Sequence, residues 1–204
     1  MRRDFDSVLV ANRGEIACRI LRTVRDAGLR GIAIYSQADR TSPHVSMVED
    51  ALCIGPGPAT DSYLSIDRVI EAARQSRAGA IHPGYGFLSE NADFAQAVID
   101  AGIVWIGPSP ASIRLMGQKA AAKGHVERVG VPCLPGYHGT DQSPETLRAE
   151  ANAIGYPIMV KASAGGGGRG MRLALDETGL DSAIESARSE AERAFGSIDL
   201  ILER

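Results

Sequence analysis

Short apolar runs alternate with stretches of helical period through the first half of the chain, and that alternation leaves few folds open. Ser7–Ala11 is short and apolar, the mark of a strand buried on both faces. Glu15–Ala27 then changes period: Ile16, Ile20, Leu21 and Val24 share one helix face, and Gly28 supplies a stop. Further strands are predicted at Gly31–Tyr35, Ala51–Ile54, Ala78–Ile81 and Ile103–Ile106, with helices at Ser65–Ser76 and Ala92–Ala101. Parallel neighbours cannot be joined by a tight turn, so each helix serves as a crossover and covers a sheet face. The expected first domain is a doubly wound parallel α/β sheet over 1–112, punctuated at its end by Pro108 and Pro110.

The second half has another rhythm. One helix is predicted over Ser112–Glu127, with Gly117 and Gly124 as weak points, inside a bridging segment at 113–134. Val131–Leu134 reads as a short strand. Ser143-Pro144-Glu145 sets a cap, a first-turn proline and an acid at the start of a helix running to about Ile154. Strands at Pro157–Ala162 and Met171–Leu175 flank a glycine-rich loop, followed by a helix at Leu180–Phe195 and a strand at Asp199–Glu203. Two strands around one loop suggest a hairpin-like lid, making 135–204 a small α+β subdomain.

Composition narrows function more than fold. With 44% hydrophobic and 23% charged residues, the 204-residue chain is an ordinary globular mixture. A net charge of −3 argues against a nucleic-acid surface but leaves room for a local anion pocket. No apolar run approaches the roughly eighteen residues of a membrane span. Cys18, Cys53 and Cys133 are far apart, odd in number and adjoin apolar stretches. Core thiols in a reducing cytoplasm are expected, with no disulfide framework or zinc site. Arg204 follows directly on an apolar strand, so the natural chain is expected to be longer.

The sharpest local feature is Ser163-Ala164-Gly165-Gly166-Gly167-Gly168-Arg169-Gly170. Glycines let successive backbone N–H groups close around phosphate oxygens, and Lys161 and Arg169 add cations beside them. A Walker A loop is excluded because Gly170 is followed by Met171 and a strand. A dinucleotide fingerprint is excluded because Ala11-Asn12-Arg13-Gly14-Glu15 has one glycine where three are needed, although Asp39 mimics a ribose-binding acid. Lys119 is a second candidate phosphate contact.

Taken together, these stretches resemble the N-terminal half of a biotin carboxylase, as in the alpha subunits of acetyl-, propionyl-, methylcrotonyl- or geranyl-CoA carboxylases. The matching text is Val10–Ala17, His82–Asn91, Ile106–Ser109, Met116–Lys119 and Val160–Met171. The resemblance implies a wound domain followed by the lid of an ATP-grasp fold, the catalytic lobe lying beyond Arg204. It implies that Lys119 and Lys161 contact ATP phosphates, with Gly165, Gly166, Gly167, Gly168, Arg169 and Gly170 folding over them. Met171 would lie on the adenine and Glu203 at its edge; Arg204 departs from the lysine often found there. Tyr85 and Glu90 would line the bicarbonate and biotin side. Arg19 and Arg22, by default a salt-bridged surface, would join a homodimer interface.

The implied chemistry is ATP-dependent carboxylation of biotin on a carrier domain, through carboxyphosphate, with a carboxyltransferase subunit as partner. Ligands for Mg²⁺, the bicarbonate-binding arginine and the base would lie outside this stretch, which would be inactive alone. The alternatives are another ATP-grasp ligase forming an acyl or carbamoyl phosphate, and a non-catalytic nucleotide-binding module.

Overall fold

β1 (Ser7–Val10) is buried along its whole length because helices cover both of its faces. The protein is described by a computed structural model, in which residues 5–164 and 170–204 are the described ones. The chain divides into two compact units, Met1–Ile113 and Arg114–Arg204.

In the first unit β1 is followed by α1 (Gly14–Asp26), β2 (Arg30–Tyr35), α2 (Pro43–Ser46) and β3 (Asp50–Cys53). α3 (Ile66–Gln75), β4 (Ala80–His82), α4 (Ala92–Asp100) and β5 (Val104–Trp105) come next. The strands form one parallel sheet in the order β3-β2-β1-β4-β5. Leu9, Ile32, Ile34 and Ile81 face α3 and α4, where they meet Val69, Phe94 and Val98. Val8, Val10, Ala33 and Ala80 face the other way, onto Ile16, Ile20, Leu21 and Val24 of α1. Each large side chain buried this way contributes about 1.5–3 kcal/mol. The doubly wound α/β expectation is met. The chain first builds outward from β1 through β2 to β3, then returns to place β4 on the other side of β1. The strand order therefore reverses at β1 and β4, and ligands of such sheets collect at the carboxyl ends of such a pair.

Two caps settle helix starts that the sequence left to pattern. Asn91, inside the His82–Asn91 motif, accepts from Phe94 N at 2.8 Å and caps α4. Ser65 caps α3 in the same manner.

In the second unit α6 (Lys119–Arg128), β6 (Gly136–Tyr137), α7 (Pro144–Ile154), β7 (Ile158–Ala162), β8 (Met171–Ala174), α8 (Glu177–Phe195) and β9 (Leu200–Glu203) follow one another. The sheet is antiparallel with order β6-β9-β7-β8, and β7 and β8 pair as a hairpin around the glycine-rich loop. Ile158, Val160, Leu200 and Leu202 point to one face and pack against Leu147 and Ala151 of α7 and Leu180, Ala183 and Ala187 of α8. Period-two alternation leaves Met159, Lys161, Met171, Leu173, Ile201 and Glu203 on the opposite face.

Three sequence expectations need correction. The single helix over 112–127 is two: α5 (Pro110–Gly117) ends, Gln118 is extended, and α6 restarts at Lys119. The break is stabilised outside the helix, since Lys119 N donates to Ser163 O at 3.2 Å instead of to a preceding helical carbonyl. Val131–Leu134 is not a strand; Pro132 has no N–H to donate, both end residues are exposed, and the pairing strand is β6. Of the cysteines only Cys18 is buried. Cys53 is exposed on the outermost strand and Cys133 is half-buried.

Candidate functional site

The outer face of the second unit's sheet gathers charge on an otherwise apolar surface. Lys161 on β7 and Glu203 on β9 are diagonal neighbours across the ladder, because Met159 is the residue directly opposite Glu203. Their side chains form an ion pair between Lys161 Nζ and Glu203 Oε2. Glu203 Oε1 accepts from Lys123 Nζ at 2.8 Å, and the same ammonium lies 3.3 Å from Leu134 O. Lys119 starts α6, tied to the end of β7 by its backbone bond to Ser163. Lysines four residues apart on a helix share a face, so α6 delivers Lys119 and Lys123 together.

The electrostatics follow from this crowding. Burial pushes the Glu203 carboxyl up, but hydrogen bonds and charges from Lys123 and Lys161 outweigh it and hold Glu203 below the usual carboxylate range. Lys119 is pulled below its ordinary value by burial and by the like charge of Lys161, with Glu203 opposing. A cluster in which three ammonium groups face one carboxylate is poised to accept anionic oxygens.

The structure thus brings Lys119, Lys161 and Glu203 together and places Met171 directly opposite Lys161 on the same sheet face. Gly165, Gly166, Gly167, Gly168 and Arg169 lie outside the described residues. Gly170 is described, and it must be glycine: its φ is +67°, and a Cβ there would sit 2.9 Å from Ala162 Cβ. Lys123 was missed by sequence reasoning. Its four-residue offset from Lys119 was the available signal.

In the first unit the carboxyl ends of β1 and β4 are fastened by Asn12, which is 3% exposed. Asn12 Nδ2 donates to Pro83 O and to Tyr85 O, each at 2.8 Å, while its Oδ1 accepts from Arg13 N. Two carbonyl acceptors and one N–H donor fix the orientation of the amide. His82 Nδ1 accepts from Gly84 N at 3.0 Å, and burial together with the charge of Arg19 lowers the imidazole's affinity for a proton. The loop so held presents Tyr85, 62% exposed, over a cleft of about 360 Å³ lined by Asn12, Arg13, Ile16 and Phe87. Tyr85 Oη lies 3.4 Å from Glu15 Oε2, and Glu90 is exposed further along the loop. Arg19 and Arg22 are exposed on α1, and among the described residues neither has an ion pair, so the salt-bridged default does not hold. Asn12→Ala should cost about 2 kcal/mol, the scale of two orphaned buried carbonyls, and should speed amide hydrogen exchange over Gly84–Phe87. Unchanged protection there would show that Asn12 does not hold the loop.

Residues 4–113 match the family model of the biotin carboxylase N-terminal domain. The chain belongs to the biotin carboxylase family. Residues 118–204 match a second model, the ATP-binding domain of the carbamoyl-phosphate synthase L chain. The mitochondrial methylcrotonoyl-CoA carboxylase subunit alpha of Rattus norvegicus is 50% identical over 197 residues, covering 97% of this chain and 28% of the rat protein. The Campylobacter jejuni biotin carboxylase, solved as a beta-gamma-ATP complex, superimposes with a TM-score of 0.94 at 44% identity, over 98% of this chain and 45% of that one. The biotin carboxylase domain of Hydrogenobacter thermophilus 2-oxoglutarate carboxylase, solved as a dimer with MgADP, ADP and bicarbonate, gives 0.92 at 46% identity, over 99% and 44%. The chain therefore spans less than half the length of these relatives.

Proposed function

We propose that the whole protein carboxylates biotin at the expense of ATP, as the first half-reaction of an acyl-CoA carboxylase, and that this chain supplies part of the nucleotide site. The observation that carries the reading is the cluster of Lys161 and Glu203 on one sheet face with Lys119 and Lys123 of α6, beside the ends of a glycine-rich loop. Lys119 and Lys161 would neutralise phosphate oxygens. Met171 would offer an apolar surface to the adenine, and the β9 backbone at Glu203 would meet its edge. Gly165–Arg169 would close over the phosphates, excluding water from an intermediate that hydrolyses readily.

In the first unit, Tyr85 and Glu90 would face bicarbonate and biotin, held there by Asn12 and the His82 turn. Arg19 and Arg22 would contribute to a homodimer surface. Among the described residues no group of three or more His, Cys, Asp or Glu side chains that could hold a metal ion comes together. Domain bounds of 1–112 for the wound domain and 135–204 for the lid fit this reading, with 113–134 between them. The further partners are a biotin carrier domain and a carboxyltransferase subunit. A cytoplasmic location is supported by the three free cysteines. No helix among the described residues is long and apolar enough to cross a membrane.

The match of 118–204 to a carbamoyl-phosphate synthase model favours one other reading, a ligase forming a different acyl phosphate. ATP hydrolysis by the full-length protein, with bicarbonate and with or without free biotin, separates the two. Stimulation by biotin is expected. Bicarbonate-dependent hydrolysis indifferent to biotin would favour the second ligase.

A further inference from the structure

We infer that Lys123 is a positioning residue of the nucleotide site, keeping Glu203 paired when Lys161 turns to phosphate. The inference rests on the nucleotide reading above and goes beyond it. The side chains of Lys123, Glu203 and Lys161 are 14%, 13% and 23% exposed, so their charges are only partly solvated. A carboxylate in that environment is costly to strand without a cation. Were Lys161 its sole partner, every phosphate that recruited Lys161 would leave Glu203 unpaired beside an anionic ligand.

The second ammonium removes that conflict, since Lys123 occupies Oε1 while Lys161 occupies Oε2. Lys123 is itself held at Leu134 O and is poorly placed to follow the phosphate. Among the described residues the charged groups facing Glu203 are Lys161 from β7 and Lys119 and Lys123 from α6; β6 sets Gly136 opposite it and no charge.

This division of labour has a signature in proton linkage. Without Lys123, the departure of Lys161 raises the proton affinity of Glu203 in the liganded state. Nucleotide binding then takes up a proton, and affinity falls as pH rises through the raised value. The experiment is calorimetric titration of ADP into the full-length protein as wild type, Lys123→Met and Lys123→Arg, from about pH 4 to pH 8, where one pH unit of linkage is about tenfold in affinity. The ratio of variant to wild-type dissociation constants cancels the titration of ADP itself. For Lys123→Met it should be about tenfold near pH 8 and fall toward unity only in acid, near about pH 4, because Glu203 starts below the usual carboxylate range, whereas Lys123→Arg should track wild type. Lys123→Gln, which keeps a donor without the charge, gives the same comparison should the methionine variant not fold. A methionine variant equal to wild type, or a loss constant with pH, overturns the inference while leaving the nucleotide site intact. Failure of the wild type to bind ADP overturns the nucleotide reading and this inference with it.

Discussion

Lys161→Ala should weaken ADP binding about a hundredfold, the equivalent of about 3 kcal/mol for a charge-assisted contact to a poorly hydrated phosphate. The same change should leave the fold almost untouched, and the contrast is what makes it diagnostic. Glu203 keeps Lys123 as a partner at 2.8 Å, so no buried charge is orphaned by the substitution. The alternating side chains Ile158, Val160 and Ala162, which hold β7 to the core, all point to the other face. Titration of ADP into the full-length variant, beside its melting curve, reads both quantities. Lys161→Arg should recover only part of the loss, because a planar fork does not replace a compact ammonium at the same reach. Undiminished ADP affinity in a folded Lys161→Ala protein would remove Lys161 from the proposed site.

The contrast also explains what the sequence could and could not reveal. β1, α1 and the crossovers were legible because burial on two faces imposes continuous apolar strands, and a helix on a sheet imposes its own period. The hairpin of β7 and β8 was legible because a glycine run between two strand-like segments has few other uses. The break at Gln118 was not, since it depends on a hydrogen bond from Lys119 N to Ser163, a residue remote in sequence. Lys123 escaped for a related reason. A lysine in an alanine-rich helix is ordinarily solvated, and only the register that sets Glu203 opposite Met159 turns the carboxylate toward it. The run Val131–Leu134 was apolar enough to suggest a strand, but two prolines within 132–135 remove the donors a ladder needs. Tyr85 and its loop were found as a motif. The residue that fastens them, Asn12, stood in plain view within another motif without announcing its partners.

Asp39→Asn should lower the stability of the first unit by about 3 kcal/mol, or roughly 10 °C in melting temperature. In the sequence Asp39 resembled an acid awaiting a ribose, and the structure shows why it cannot serve as one. Its Oδ2 accepts from Ser36 Oγ at 3.1 Å and Tyr63 Oη at 2.8 Å. Its Oδ1 accepts from Ser42 Oγ at 3.1 Å and meets Arg13 Nη2 at 3.2 Å. An ionised carboxylate has about four acceptor sites, and all are taken. Asparagine would set an NH₂ group against donors on one side and leave Arg13 without its countercharge. Burial works to raise the Asp39 carboxyl, but the bonds from Tyr63, Ser36 and Ser42 and the charge of Arg13 hold it below its ordinary value of 3.8. A depressed carboxylate stabilises the fold above the unfolded-state value, and that contribution disappears as pH falls through the folded-state one. Urea midpoints of wild type and Asp39→Asn should therefore differ fully at neutral pH and converge in acid below the ordinary carboxylate range. A gap that persists undiminished in acid would mean that shape, and not charge, is what Asp39 contributes. The consequence reaches the cleft, since Arg13 is the residue after Asn12 and lines the same pocket as Tyr85. The buried carboxylate thus fixes one wall of the surface on which bicarbonate and biotin are proposed to meet.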